Sequence, residues 1–209
     1  ADGSLFEFDP GVTGTAVWSD SRTLEFRPDK LLKNGQKYEV EFRLSKVLEV
    51  PSALKKFRFN FQTVVQNFEI AIDNLGTVHD SKLEDQYLEG TLRTADYAAD
   101  EHVESVLRAY QADQSLPVEW MHQPDGRLHQ FIVKNIKRKK NAQKIELKLD
   151  GGPLEVDKKE TMEVNVPALG DFSLVQSRVV QSPDQYVSLQ FSDPLKNGQY
   201  LNGLITIDG

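Results

Sequence analysis

The sequence predicts an all-β fold of tandem antiparallel sandwich domains, the middle one carrying one helix. Apolar residues occupy every second position in short runs; Tyr38, Val40 and Phe42, for example, alternate with charged side chains. Turn-forming pairs such as Pro10-Gly11 and Asn34-Gly35 separate these runs. Short strands at such close spacing are typical of a β-sandwich or barrel.

Composition excludes several classes of protein. The 209 residues are 39% hydrophobic and 27% charged, as in globular chains. There is no cysteine, so disulfides, thiolate metal sites and a cysteine nucleophile are excluded. Acidic side chains outnumber basic ones by 32 to 25, so no general positive field attracts phosphates, and we expect no nucleic acid partner.

The sequence shows neither a membrane span nor a targeting signal. No run approaches the roughly 18 apolar residues that a transmembrane helix needs. The first ten residues, ADGSLFEFDP, lack the basic and then apolar order of a secretory signal. We therefore expect that the chain is either cytosolic or already trimmed of a signal peptide. The lack of cysteine does not fix the compartment.

Composition breaks divide the chain into three segments, 1–65, 66–168 and 169–209. The strands predicted in the first segment are 5–8, 14–18, 23–27, 38–44 and 57–63. Those predicted in the second are 68–72, 88–94, 116–122, 128–136, 144–149 and 161–166. Those predicted in the third are 172–181, 186–192 and 204–207.

The predicted helix lies near residues 100–111 of the second segment. Asp100 is the expected N-cap, and Glu104 would lie near the positive end of the helix dipole. One apolar stripe at helical spacing is formed by Val103, Val106, Leu107 and Tyr110. We expect this helix to cross over between strands and to cover the sandwich.

The clearest predicted hairpin spans residues 115–133, where Pro-Asp-Gly separates two alternating runs. The register that pairs apolar residues sets Trp120 opposite Phe131, Val118 opposite Val133 and His122 opposite His129. A slip by one residue would set Trp120 against Gln130 and is disfavoured.

The third segment is expected to need a partner surface. About 40 residues without a disulfide or metal bury too little apolar surface to fold alone. The stretch 167–171 is predicted to be a linker, short enough to hold its neighbours in a fixed relation.

The histidines of the hairpin are the one metal-site candidate that the sequence offers. His122 and His129 lie on adjacent predicted strands, and His79 or a carboxylate would have to complete the ligand shell. Because no third ligand is identifiable, we favour a polar cross-strand pair and predict no metal.

Two further features have a binding interpretation and a plainer one. The basic run 134–148, centred on 137–140, could bind phosphate or acidic glycan, but without interleaved aromatics it is predicted to be a solvated hairpin tip. Trp18 and Trp120 could stack on sugars, but both lie in alternating strands and are predicted to be core residues.

Nothing in the sequence indicates catalysis. The nucleophile elbow, the zinc-protease helix signature and the phosphate-binding glycine loop are all absent. The acidic stretches 80–85 and 96–104 fit a solvated loop and a helix start. We therefore predict no catalytic residue, no cofactor and no enzyme activity.

A family resemblance rests on packing and turn residues. In the first segment these are Phe6-Glu-Phe8-Asp-Pro10, Gly14-Thr-Ala-Val-Trp18, Thr23-Leu-Glu-Phe26-Arg-Pro28 and Phe59-Asn-Phe61-Gln-Thr63. In the third they are Leu189-Gln-Phe191-Ser-Asp-Pro194-Leu and Leu201-Asn-Gly-Leu-Ile205. The first set resembles the back half of a bacterial Ig-like domain, and the second resembles the front half of another. In this order around a middle domain, they resemble the N-terminal region of the bacterial alpha-2-macroglobulin family of the Bacteroidetes type.

The resemblance implies macroglobulin-like and Ig-like sandwiches that form a non-catalytic arm of a broad-spectrum protease inhibitor. It implies a periplasmic or outer-membrane-associated location, with the trapping machinery outside this chain. The partners it implies are other domains of the full-length protein and, through that protein, proteases. The alternative that we weigh is a surface adhesion or carbohydrate-binding Ig-like array.

On this interpretation the first segment lacks front strands and the third lacks back strands. Each would then expose unpaired strand edges and an uncovered apolar face. We therefore expect the chain to self-associate by strand exchange, a result that light scattering would show.

Overall fold

The computed structural model describes residues 5–78, 83–196, 198 and 200. The chain divides into two compact units, Ala1–Asn67 and Phe68–Gly209. Antiparallel strands make up most of the described residues, which confirms the predicted all-β class. Within that part of the chain, no helix is both long enough and apolar enough to span a membrane.

The first unit contains two small sheets. Its strands are β1 (Phe6–Asp9), β2 (Gly14–Trp18), β3 (Leu24–Pro28), β4 (Lys37–Phe42) and β5 (Phe57–Gln62). One sheet has the order β1-β4-β5, and β2 pairs with β3 in the other. The alternation predicted for β4 is confirmed, because Tyr38 and Val40 are buried and Glu39 between them is exposed. The preceding turn uses Gly35 at a φ of +68°, which glycine adopts without strain.

The second unit contains a sandwich of two four-stranded sheets. Its elements are β6 (Phe68–Thr77), β7 (Asp85–Thr94), α1 (Asp100–Glu104), β8 (Leu107–Gln111), β9 (Gln114–Leu116), β10 (Val118–His122), β11 (Leu128–Lys137), β12 (Gln143–Asp150), β13 (Lys159–Val166), β14 (Leu174–Val180) and β15 (Tyr186–Phe191). The sheet orders are β10-β11-β7-β6 and β13-β12-β8-β9. Leu88 and Phe131 of the first sheet belong to one buried cluster with Ile145 and Leu147 of the second. The two sheets therefore pack on each other through a shared core.

The β10–β11 hairpin has the predicted register. Trp120 lies opposite Phe131, Val118 opposite Val133 and His122 opposite His129. Phe131 in turn lies opposite Gly90 of β7, and a Cβ at residue 90 would lie 2.2 Å from the Cζ of Phe131. The ring therefore packs directly over the backbone of β7, which leaves no room for a side chain there.

The predicted helix is shorter than expected. It ends at Glu104 rather than near residue 111, and Ala99 rather than Asp100 is its N-cap. Residues Leu107–Gln111 instead form β8, which pairs with β12. Leu107 and Ala109 are buried on one face of that strand, so pairing inside the sheet overrides the apparent helical spacing. The expected crossover is confirmed, since this segment connects β7 of one sheet to β8 of the other.

The basic segment is not a hairpin tip. β11 and β12, which flank it, belong to different sheets, so residues 138–142 cross from one sheet to the other. Arg138, at the start of this crossing, is only 4% exposed. The prediction of a solvated hairpin tip was therefore wrong for Arg138. A segment that connects two packed sheets runs along the edge of the sandwich, where a side chain can be buried.

The β14–β15 hairpin packs against β6 in the second unit. The Nε2 of Gln190 donates to the carbonyl oxygen of Leu75 at 2.6 Å, and the Nε2 of Gln176 donates to that of Ile72 at 3.3 Å. These carbonyls flank the irregularity in the β6–β7 ladder between Ile72 and Asn74. The third segment thus contacts a partner surface, as expected; the strand predicted at 204–207 lies outside the described residues.

Replacing Gly90 with alanine tests the packing beneath the hairpin. We expect Gly90→Ala to lower the free energy of unfolding of the second unit by about 1–3 kcal/mol, because the new methyl group overlaps the Phe131 ring. Urea titration followed by Trp120 fluorescence in a Trp18→Phe background measures this. In a Phe131→Leu background the cost of Gly90→Ala should shrink; an equal cost in both backgrounds would contradict the packing.

Candidate functional site

Four titratable side chains converge beside the β10–β11 turn, and we call them the histidine cluster: Asp100, Glu104, His122 and His129. The histidines are a cross-strand pair at the end of the hairpin. The carboxylates are four residues apart on α1, which sets them on one face of its single turn. Asp100 and Glu104 were predicted only as residues of the helix start, and no sequence pattern indicated that they face the histidines.

Backbone hydrogen bonds hold the segment that leads into α1 against the hairpin. The N–H of Ala98 donates to the carbonyl oxygen of Gly126 at 2.9 Å, and the N–H of Thr94 donates to that of Arg127 at 3.0 Å. Gly126 has a φ of +61°, and a Cβ there would lie 2.4 Å from the ring of Tyr97. The predicted Pro-Asp-Gly turn therefore also fixes where α1 begins.

The ring nitrogens of the two histidines lie within hydrogen-bonding distance. The Nδ1 atoms of His122 and His129 are 2.8 Å apart. The Nε2 of His122 lies 3.3 Å from Oε1 of Glu104, and its Nδ1 lies 3.6 Å from Oδ1 of Asp100. Trp120 lies beside His122 with nearly parallel rings, 7° apart. The His122 ring is thus held between an aromatic neighbour and two carboxylates.

Burial decides the protonation of the pair. His129 is fully buried, and its Nε2 has no hydrogen-bond partner among the described residues. A buried N–H without an acceptor is costly, so the favoured tautomer of His129 carries its proton on Nδ1 and donates it to Nδ1 of His122. His122 then donates from Nε2 to Glu104. Desolvation, followed by the proximity of His122, lowers the pKa of His129 below its ordinary value of 6.5.

A second polar cluster surrounds a fully buried guanidinium. The side chain of Arg138 is 0% exposed, and its Nη1 lies 2.8 Å from Oδ1 of Asp193. The guanidinium also donates, at 2.7–3.3 Å, to the carbonyl oxygens of Pro167, Ala168, Asp171 and Ser192. We call Arg138 and these five partners the Arg138 clamp. It joins the sheet crossing after β11, the predicted linker 167–171 and the end of β15.

Hydrogen bonds around Ser192 complete the Arg138 clamp. The Ser192 hydroxyl lies 2.7 Å from Oδ2 of Asp193 and 3.0 Å from the carbonyl oxygen of Asp171, and it accepts from the N–H of Ser173 at 2.9 Å. The hydrogen bond from Arg138 holds the pKa of Asp193 below its ordinary 3.8. The charged pair is therefore maintained at neutral pH.

The other predicted positions take no part in either cluster. Trp18 is 59% exposed, so the prediction that it is a core residue was wrong. It is the last residue of β2, which pairs with β3 in a two-stranded sheet, and more than half of its surface is exposed. Trp120 is half-buried and packs against the core as predicted. His79 lies outside the described residues.

Comparisons with family models and curated proteins identify no relative of this chain. No protein-family model matches the sequence, and no curated protein matches it. The chemistry of the two clusters therefore has to be inferred from their geometry. The histidine cluster offers nitrogen and oxygen ligands near solvent, whereas the Arg138 clamp saturates a buried cation and offers nothing to a ligand.

The pH dependence of stability tests the Arg138 clamp. Because the pKa of Asp193 is depressed in the folded state, its contribution is present above about pH 4 and is lost as the pH falls through the folded-state pKa. We expect Asp193→Asn to cost about 3 kcal/mol at pH 7, and the gap from the parent chain to close in acid.

Urea titrations of the second unit from neutral to acidic pH measure that gap. Asp184→Asn, which changes an exposed carboxylate between β14 and β15, is the matched control and should leave stability nearly unchanged. A cost of Asp193→Asn that stays constant with pH would contradict the charged pair.

Proposed function

We propose that the chain is a non-catalytic structural arm of a protease inhibitor similar to the alpha-2-macroglobulins of the bacterial envelope. The Arg138 clamp is the observation that supports a rigid structural role. A linker and a hairpin bound to one buried cation cannot swing independently of the sandwich. A rigid spacer needs such a junction, whereas a flexible tether would leave the linker carbonyls without hydrogen bonds to the sandwich.

The geometry of the clamp favours a structural role over a catalytic one. A catalytic arginine has to present free N–H groups to a substrate anion. Arg138 makes six contacts with protein acceptors from its five N–H groups, and its side chain has no exposed surface. Its full donor capacity is thus used to fix chain geometry.

The inhibitor setting is supported by the sequence resemblance in the first and third segments. In a protease trap, a bait segment is cleaved and the molecule closes around the attacking protease. β-sandwich arms serve such a molecule as rigid bodies that move together. The described part of the second unit, a packed sandwich with a fixed hairpin, is suited to that role.

A trapping assay on the full-length protein tests this function. The full-length protein should block the hydrolysis of a large protein substrate by proteases of different specificity, while hydrolysis of a small chromogenic peptide continues. The 209-residue chain alone should inhibit neither reaction. Inhibition of both by the isolated chain, or of neither by the full-length protein, would contradict the proposal.

One observation favours the alternative of a carbohydrate-binding surface array. Trp18 exposes its ring at the end of β2, where it could stack on a sugar. A glycan array probed with the parent chain and with Trp18→Ala decides this. Binding that disappears with Trp18→Ala would support the alternative, and an array without hits would remove it.

A further inference from the structure

We propose that the histidine cluster binds a divalent transition metal ion, with zinc as the best-matched ion. The ligands are one ring nitrogen each from His122 and His129 and one carboxylate oxygen of Asp100, and these three atoms lie within 4.8 Å of one another. Two imidazoles and one carboxylate form a ligand set that zinc accepts. Among the described residues this is the one group of three metal-ligating side chains that approach so closely.

The distances need only small adjustments. Ligands about 2.0–2.1 Å from a tetrahedral zinc ion lie roughly 3.4 Å from each other. The two Nδ1 atoms are 2.8 Å apart, and the Asp100 oxygen is 3.6 Å from Nδ1 of His122. These two values lie on either side of the required separation, and the third pair, His129 and Asp100, lies within 4.8 Å, so shifts of roughly 1 Å at each ligand would suffice.

Glu104 supplies the outer contact that metal-bound histidines usually have. A ligating imidazole almost always donates its other N–H to a carboxylate or carbonyl, which fixes its orientation. Oε1 of Glu104 lies 3.3 Å from Nε2 of His122, on the side of the ring away from Nδ1. His122 is therefore already oriented, with Nδ1 directed toward His129 and Asp100.

The metal ion would replace the proton between the two Nδ1 atoms. His129 would then carry its proton on Nε2, where no described residue accepts it, and this opposes binding. Asp100, with a side chain that is 60% exposed, leaves an entry path and an open fourth position for water. The bound ion would join α1 to the β10–β11 hairpin.

Calorimetric titration of zinc into the chelator-treated 209-residue chain tests the site. We expect one zinc ion per chain. His122→Gln and Asp100→Asn should each weaken binding at least about tenfold, and Glu104→Gln by roughly tenfold through the outer contact. His102→Gln is the matched control, because it removes an exposed imidazole from the same helix and should leave affinity unchanged.

Long-range ¹H–¹⁵N NMR of the imidazoles distinguishes metal ligands from a purely structural histidine pair, whose resonances zinc would not shift. Zinc should shift the Nδ1 resonances of His122 and His129 and leave those of His102 in place. His129→Gln removes a buried ring and can unfold the chain, so the test rests on His122 and Asp100. Absence of binding to the folded chain, or affinity that survives both substitutions, would overturn the proposal.

Discussion

The attachment of the β14–β15 hairpin to the sandwich of the second unit depends on one buried cation. Arg138 enters the protein interior where the chain crosses from one sheet to the other, and it binds the carboxylate of Asp193 and four backbone carbonyls. A guanidinium in such a position is stable only when every N–H has an acceptor. Because those acceptors come from the linker and from the residues after β15, the cation fixes the third segment on the sandwich.

The histidine cluster and the Arg138 clamp both form at segments that connect the two sheets, but they differ in burial. Each lies where the chain passes between the two sheets, after β7 in one case and after β11 in the other. At the clamp, the guanidinium is fully buried and every donor is matched by a protein acceptor, so the result is rigidity. At the histidine cluster, one ring is buried, the carboxylates are exposed, and ligand atoms remain near solvent. Of the two, only the histidine cluster has ligand atoms that an ion could reach.

Local pattern predicted the strands well because alternation and turn chemistry are local properties. The β10–β11 register followed from pairing Trp120 with Phe131, which needs no knowledge of the rest of the fold. The extent of α1 was wrong because the helical spacing of Val103, Leu107 and Tyr110 is only a local signal, and the pairing of β8 with β12 overrode it. Likewise, Asp100 meets His122 and Arg138 meets Asp193 only through tertiary structure, so no sequence spacing could indicate either pair.

Amide hydrogen exchange in an Arg138→Met chain tests the central claim most directly. The substitution keeps a long apolar side chain but removes every donor of the clamp. Amides of β14 and β15 should exchange at least about tenfold faster, while those of the sandwich core keep their protection. Arg178→Met, an exposed change on β14, should have no such effect. Unchanged exchange in the hairpin, or uniform acceleration throughout the second unit, would contradict the account.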